Sequence, residues 1–188
     1  AFGIFVIVVA FGFEGVYFWA RRIEPYRLET TYHTAESEML AGHDKATGLP
    51  LVAVHWANNE TGVIQPVREI AAMVKANGGV LVVDAVQALG RLPIDIADAC
   101  GDFLILSSHK IGGPKGAGAL VAQSDLMMPM PLISGGGQER GHRGGTEAVA
   151  NIAGFGAAAD IAMASPDRFA SCMPVRDAFE AAILEIAS

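Results

Sequence analysis

The sequence predicts an α/β fold in which helices cover a mostly parallel sheet. Residues 80–83, 103–106 and 117–121 are apolar at nearly every position, and segments with helical spacing precede and follow them. A sheet with one face in water would alternate apolar and polar residues, whereas strands covered on both faces are continuously apolar. The 188 residues are enough for one domain with a substantial core.

Two elements precede these strands. Residues 51–56 form a short apolar run that predicts a strand, and residues 66–77 have helical spacing. Pro66 suits the first turn of that helix, and Asn77-Gly78 is a typical helix end. The apolar positions of the helix are Val67, Ile70, Ala71 and Val74.

Two helices follow the strands. The periodicity predicts helices over residues 148–164 and 166–186, and we expect the second to lead toward a small domain outside this chain.

Residues 1–35 do not follow this pattern. They begin with an apolar stretch of 20 residues that is interrupted by Glu14 and ends at Arg21-Arg22. This is barely long enough to cross a bilayer, and it lacks the basic start of a signal peptide. We favour an incomplete or scrambled N-terminus over a membrane anchor, with a buried strand followed by a helix as the intermediate interpretation. Hydropathy alone does not separate these.

Asp84 and Lys110 each follow an apolar strand. A buried carboxylate at a strand end is costly unless a cation faces it, and a protonated ring nitrogen is one such cation. A buried lysine near a glycine-rich turn can remain partly neutral and react with an aldehyde. Ligands of parallel sheets bind beyond the carboxyl ends of the strands, so both groups should line one crevice. Together they indicate pyridoxal phosphate.

Neighbouring residues supply the other donors that this cofactor needs. Gln87 can donate to the phenolic oxygen, and Ser107 and His109 can donate to the phosphate. Each residue alone has an ordinary structural interpretation, because an aspartate after a strand is commonly a turn residue and Lys-Ile-Gly-Gly is commonly a solvated loop. The ordered set is what favours the cofactor.

Motifs in the chain resemble those of the cysteine desulfurases, within the class V aminotransferase family of fold-type I enzymes. They are ANNETGVIQP (57–66), VVDAVQALGRLPID (82–95), SSHKIGGPKGAGAL (107–120) and GGGQERGHRGGTE (135–147). The resemblance runs from about residue 41 to the C-terminus, and it is closer to the branch that serves iron-sulfur cluster assembly. It implies that residues 36–165 are part of the large cofactor-binding domain and that residues 166–188 lead to a missing small domain.

The resemblance also implies roles for individual residues. Lys110 corresponds to the lysine bonded to the cofactor and Asp84 to the acid at its pyridine nitrogen. The matching ligands are Gln87 at the phenolic oxygen, Asn59 near the ring and substrate, Ser107 and His109 at the phosphate, and Thr146 at the phosphate of a partner subunit. The asparagine pair could instead be a turn, and Thr146 could be a helix N-cap.

Some family features are not found in this chain. The upstream phosphate loop and ring-stacking histidine are missing, and His33 has no matching motif around it. The cysteine nucleophile and the arginine that binds the substrate carboxylate lie beyond the RGGT motif in the family, so we expect both outside this chain. Cys172 is interpreted as a packing residue of a helix, and Cys100 as buried at the end of a short helix, residues 96–100.

The resemblance implies a homodimer that converts L-cysteine to L-alanine, with sulfur passed through an enzyme persulfide to an acceptor such as a scaffold protein. The alternatives are an aminotransferase, a selenocysteine lyase or a non-catalytic remnant of the fold. The net charge of −7 and pI near 5.1 argue against nucleic-acid binding. No metal-ligand spacing, GxGxxG, P-loop or GxSxG motif occurs. We expect a cytoplasmic protein and no membrane association.

Overall fold

The computed structural model describes residues 5–8, 38, 40–44, 46, 48–98, 100–124, 128–164 and 169–187. The strands are β1 (Phe5–Val8), β2 (Pro50–His55), β3 (Val80–Asp84), β4 (Phe103–Ser107) and β5 (Gly118–Ala122). The α-helices are α1 (Val67–Ala76), α2 (Val149–Ala164) and α3 (Met173–Ala187). Short 3₁₀ turns cover Ser108–Ile111, Gln138–Gly141 and Ala170–Cys172.

The strands form one five-stranded sheet in the order β1-β2-β3-β4-β5. β1 to β4 are parallel, and β5 runs antiparallel to β4. The register pairs Val54 with Val83 and Val83 with Leu104, so these side chains share one face of the sheet. The predicted fold class, a mostly parallel sheet with helices, is confirmed.

Helix α1 packs on that face. Its residues Val67, Ile70 and Val74 are buried in one core cluster with Leu81 and Val83 of β3. Burying each of these side chains stabilises the fold by roughly 1.5–3 kcal/mol, so the helix is held mainly by its apolar stripe.

The ends of α1 follow the predicted signals. Pro66 is at the N-cap, while Asn77 at the C-cap donates from Nδ2 to the carbonyl oxygen of Met73 at 2.9 Å. Gly78 then takes a positive φ of 71°, which ends the helix at little steric cost. The predicted helix over residues 66–77 is therefore confirmed to within one residue at each end.

Two sequence predictions about the helices differ from the structure. Residues 96–98 form a turn rather than a short helix. The reason is that Asp95 accepts two hydrogen bonds there: its side-chain carboxylate accepts from the amide of Ala97, and its main-chain carbonyl accepts from the amide of Asp98. The predicted helix 166–186 begins later, as α3 at Met173, after the 3₁₀ turn Ala170–Cys172. The residues before Phe169 in that prediction lie outside the described ones.

Of the N-terminal segment, the structure describes only Phe5–Val8, which pairs with β2 as a parallel strand. This agrees with the strand in the interpretation of residues 1–35 as a strand followed by a helix. The rest of residues 1–35 lies outside the described ones. Within the described ranges, no helix has the length and apolarity needed to cross a membrane.

Candidate active site

Asp84 and Lys110 lie at the same edge of the sheet. Asp84 is the last residue of β3, and Lys110 lies in the 3₁₀ turn that directly follows β4. The two strands are parallel and Asp84 pairs in register with Ile105, so both strands point their carboxyl ends the same way. The sequence prediction that acid and lysine share one edge thus agrees with the geometry.

The turn Ser108–Ile111, here called the lysine turn, holds Lys110 close to the core. Ser108 is fully buried, Lys110 is half-buried, and Gly112 ends the turn with φ 92° and donates its amide to Ser108 O. The turn packs beside α2, where Ala158 and Ala162 are the buried residues. Within the described part of the chain, Lys110 Nζ has no hydrogen-bond or ion-pair partner, so the amine is available for chemistry.

Asp84 is exposed, and its predicted burial is wrong for this structure. It ends its strand on the face opposite α1, where its carboxylate accepts a hydrogen bond from the amide of Val86 at 2.9 Å. Its main chain is fixed, because Asp84 O accepts from Trp56 N at 2.9 Å. The carboxylate is therefore oriented by the backbone but remains open to a ligand.

Ser107 and His109 form a side-chain pair on either side of the buried Ser108. Ser107 Oγ lies 2.9 Å from His109 Nδ1, with Ser107 half-buried and His109 exposed. The hydroxyl and the imidazole can both donate to an anion from this position. The structure thus brings both predicted phosphate ligands beside Lys110.

Gln87 and Asn59 lie in the loops that flank Asp84. Gln87 is half-buried in the turn after β3, while Asn59 is exposed in the loop after β2. That loop is ordered by Asn58, whose Oδ1 accepts from the amides of Glu60 and Thr61 at 2.9 Å. The asparagine pair is therefore a turn, and the turn leaves Asn59 exposed near the sheet edge.

Thr146 is not brought to this cluster by contacts in the structure. It is exposed and lies three residues before the start of α2, so it is not at the N-cap position. The preceding loop is shaped by its own residues: Arg143 Nη1 donates to the carbonyl oxygen of Gly145, and Glu139 and Arg140 both have positive φ. A contact of Thr146 with the phosphate of a partner subunit remains a prediction.

Sequence reasoning missed two residues near the site. Arg91 donates to the carbonyl oxygen of Lys110 at 3.1 Å. His55 is the last residue of β2 and pairs in register with Asp84 of β3. Its Nε2 lies 3.4 Å from Asn58 Nδ2. His55 follows a predicted strand as Asp84 does, and that position was the signal available for it. For Arg91 the sequence pattern gave no signal.

The two cysteines differ sharply in environment. Cys100 is 1% exposed, as predicted, and donates from Sγ to Asp95 O at 3.1 Å. Burial raises the pKa of its thiol, so it stays protonated at neutral pH. Cys172 is exposed in the last 3₁₀ turn, so its interpretation as a packing residue is wrong. Helical spacing alone did not reveal that Cys172 is exposed.

The fold and the candidate site together define part of an α/β domain with a lysine amine and an aspartate carboxylate at one sheet edge. The chain belongs to the aminotransferase class-V family, whose model matches residues 21–168. This match starts upstream of residue 41, where the resemblance was expected to begin, and it stops before α3.

Relatives and solved structures agree with this membership. A cysteine desulfurase of Enterobacter agglomerans is 42% identical over 153 residues, which cover 81% of this chain and 36% of that protein. One of Sinorhizobium fredii is 43% identical over 155 residues, 81% of this chain and 40% of that protein. The crystal structure of a NifS-like protein from Rickettsia africae has a TM-score of 0.72 at 36% identity, covering 79% of this chain and 41% of that chain. The chain thus spans about two fifths of these relatives.

Proposed function

We propose that this chain is part of the large domain of a pyridoxal-phosphate-dependent cysteine desulfurase. The observation that carries the proposal is the placement of Lys110 and Asp84 at the carboxyl ends of adjacent parallel strands. The chain is also 42% and 43% identical to two cysteine desulfurases. The side-chain groups at this edge fit the cofactor: the amine matches its aldehyde and the carboxylate its protonated ring nitrogen, while the amide matches its phenolic oxygen and the hydroxyl-imidazole pair its phosphate.

Each residue has a separate task in this proposal. Lys110 would hold the cofactor through its aldehyde carbon, and its Nζ would carry a proton during turnover. Asp84 would keep the pyridine nitrogen protonated, and Gln87 would donate to the phenolic oxygen. Ser107 and His109 would donate to the phosphate, and Asn59 would lie near the ring and substrate. When bound, the cofactor supplies an electron sink for bonds at the substrate α-carbon.

The proposed substrate is L-cysteine, with alanine as product and sulfur passed to a cysteine of the enzyme. Cys100 is buried with a raised thiol pKa, which disfavours it as that nucleophile. Cys172 lies in a helical turn ahead of α3 rather than in a glycine-rich loop, so we assign the nucleophile to neither residue. A homodimer, transfer to an iron-sulfur scaffold protein and a cytoplasmic location belong to the same proposal.

Reduction with borohydride tests the cofactor assignment. The chain is incubated with pyridoxal phosphate, reduced, digested and mapped by mass spectrometry. The adduct should lie on Lys110 and be absent in Lys110→Ala, while Lys115→Ala, a change at an exposed lysine nearby, should retain it. A covalent adduct that persists in Lys110→Ala would contradict the assignment.

Sulfide release tests the reaction. The chain should release no sulfide from L-cysteine above the rate of free pyridoxal phosphate, and Cys172→Ser should leave that result unchanged. Turnover that disappears with Cys172→Ser would show that Cys172 is the nucleophile. Adduct formation with transamination but without any sulfur chemistry in the longer protein would favour an aminotransferase, and a folded chain that binds no cofactor would favour a non-catalytic remnant.

A further inference from the structure

The guanidinium group of Arg91 connects the two segments that carry the proposed cofactor ligands. Nη2 donates to Lys110 O at 3.1 Å, and Nη1 lies 3.4 Å from Gln87 O. One carbonyl belongs to the lysine turn and the other to the turn that follows Asp84. One side chain therefore ties the main chain of both.

The carbonyl of Lys110 has a specific need for such a donor. The lysine turn ends at Ile111, and the last carbonyls of a helical turn have no onward amide partner. Gly112 and Gly113 both direct their amides to Ser108 O instead. A charged donor such as Arg91 therefore satisfies Lys110 O where the helix does not continue.

The backbone of Gly90 also packs closely against side chains of the lysine turn and of α2. This residue is buried with φ 72°, and a Cβ there would lie 3.2 Å from Ala162 Cβ and 3.4 Å from Ile111 Cγ2. The turn after β3 thus docks directly on the lysine turn and on α2. Arg91, the next residue, starts from a fixed position.

An aromatic ring covers the arginine from the other side. The guanidinium carbon lies 5.7 Å from the centroid of the Phe169 ring, and both residues line a cavity of about 180 Å³ together with Lys110 and Ile111. The ring restricts the guanidinium, while the cavity leaves room for water if the guanidinium is removed. Water could then solvate both carbonyls, so losing Arg91 should loosen the turn without unfolding the chain.

We propose that Arg91 is a positioning residue, which sets the lysine turn at a fixed distance from the segment of Asp84 and Gln87. It acts through the main chain of Lys110 rather than on the cofactor. The inference that Arg91 positions Lys110 for the cofactor rests on the proposed function. The two contacts of Arg91 with main-chain carbonyls are present without cofactor. The inference predicts that Arg91 slows amide hydrogen exchange in the lysine turn of the cofactor-free chain. It also predicts that Arg91 lowers the pyridoxal phosphate concentration needed to form the adduct at Lys110.

Amide hydrogen exchange of the cofactor-free chain tests the tie directly. In Arg91→Met, the amides of Gly112 and Gly113 should exchange about tenfold faster, the factor expected when one bond to a charged donor is lost. The matched control is Arg68→Met, which removes an exposed arginine paired with Asp98 at 2.7 Å and should leave both amides unchanged. Unchanged protection in Arg91→Met overturns the proposal.

Adduct formation separates positioning from stability. The pyridoxal phosphate concentration for half-maximal borohydride-trapped adduct should rise about tenfold in Arg91→Met. It should stay within twofold in Val74→Ala, a core variant measured well below its melting temperature. An equal rise in both variants overturns the proposal, because adduct formation would then follow overall stability. If the unchanged chain forms no adduct, the proposed function fails, while the exchange measurement still decides the role of Arg91.

Arg91→Lys replaces Arg91→Met if the latter does not fold. The lysine keeps the charge and most of the stem but cannot bridge two carbonyls as the planar fork does. Faster exchange at Gly112 and Gly113 is again expected, and parental protection again overturns the proposal.

Discussion

The hydroxyl of Ser108 occupies the space that Gly113 leaves by having no side chain. A Cβ at Gly113 would collide with Ser108 Oγ and would lie 3.2 Å from Ala158 Cβ. Ser108 is fully buried, and its Oγ has no hydrogen-bond partner among the described residues. The lysine turn is therefore packed tightly around a polar group that lost its hydration without gaining a protein bond.

Ser108→Ala should stabilise the chain. Removing an unsatisfied buried hydroxyl recovers its desolvation cost, so the free energy of unfolding should rise by about 1 kcal/mol. Urea denaturation measures this. Ser107→Ala is the control, because its hydroxyl is bonded to His109 and its loss should bring no gain. A Ser108→Ala variant less stable than the parent would show that the hydroxyl has a partner in solution.

Gly113→Ala should destabilise the chain by about 1–3 kcal/mol, because the added methyl group overfills the turn. Combining it with Ser108→Ala should recover part of that loss, since the collision with Oγ is then removed. Gly112→Ala is the matched control: it meets nothing within 4 Å but has φ 92°, so its cost is backbone strain. If Ser108→Ala recovers as much unfolding free energy in combination with Gly112→Ala as with Gly113→Ala, the packing explanation is contradicted.

Asp84→Asn should leave the fold unchanged but weaken cofactor chemistry. The amide oxygen can still accept from Val86 N, so stability should stay within about 0.5 kcal/mol. A neutral amide cannot hold the pyridine nitrogen protonated, so transamination with bound pyridoxal phosphate should be lost. Asp95→Asn is the matched control, because that carboxylate accepts from Ala97 N at 2.9 Å in a similar turn away from the site. Undiminished transamination by Asp84→Asn would show that Asp84 does not keep the pyridine nitrogen protonated.

The two thiols should react at very different rates. Iodoacetamide at pH 8 should label the exposed Cys172 quickly, and Cys100 only when the chain unfolds. Burial raises the pKa of the Cys100 thiol above its ordinary value of 9.0, so above about pH 9 the unfolded state binds fewer protons than the folded state. The free energy of unfolding should therefore fall as pH rises above 9, and Cys100→Ala should remove that component. Rapid labelling of Cys100 in the folded chain would show that its burial is transient.

Mixed dimers test the proposed role of Thr146 across a subunit interface. Thr146→Ala should weaken cofactor retention while Lys110 still reacts. In the complete protein, a heterodimer of Thr146→Ala with Lys110→Ala would have one site with both lesions and one with neither, so partial activity should return. Absence of recovery, with subunit exchange confirmed, would place the threonine within its own subunit or outside the site.

The sheet and the edge that holds the site were predictable because both follow from local chemistry. Continuous apolar runs marked the strands, and parallel strands must end at the same edge, which placed Asp84 near Lys110 without any knowledge of distances. The proline and the Asn-Gly pair marked the ends of α1 for the same local reason.

The remaining features depend on contacts that leave no periodic signal. Arg91 reaches a carbonyl in a different segment of the chain, and nothing in the spacing of its neighbours predicts that bond. Asp84 and Cys172 are exposed because of how the surrounding elements pack, and a sequence pattern does not record that packing. The close packing of Ser108 and Ala158 around Gly113 depends on how the lysine turn fits against α2, which no sequence pattern records.

From β2 onward, the order of strands across the sheet is the order in which the chain is made. Each strand pairs with one already synthesised, so the sheet can grow at a single edge as the chain leaves the ribosome. Among the described strands from β2 to β5, none has to wait for a partner that is made much later, which keeps the mean sequence separation of their contacts low and favours fast folding. The hairpin-like return of β5 on β4 completes the described sheet as soon as Ala122 has emerged, while the lysine turn still lacks α2, which is made later.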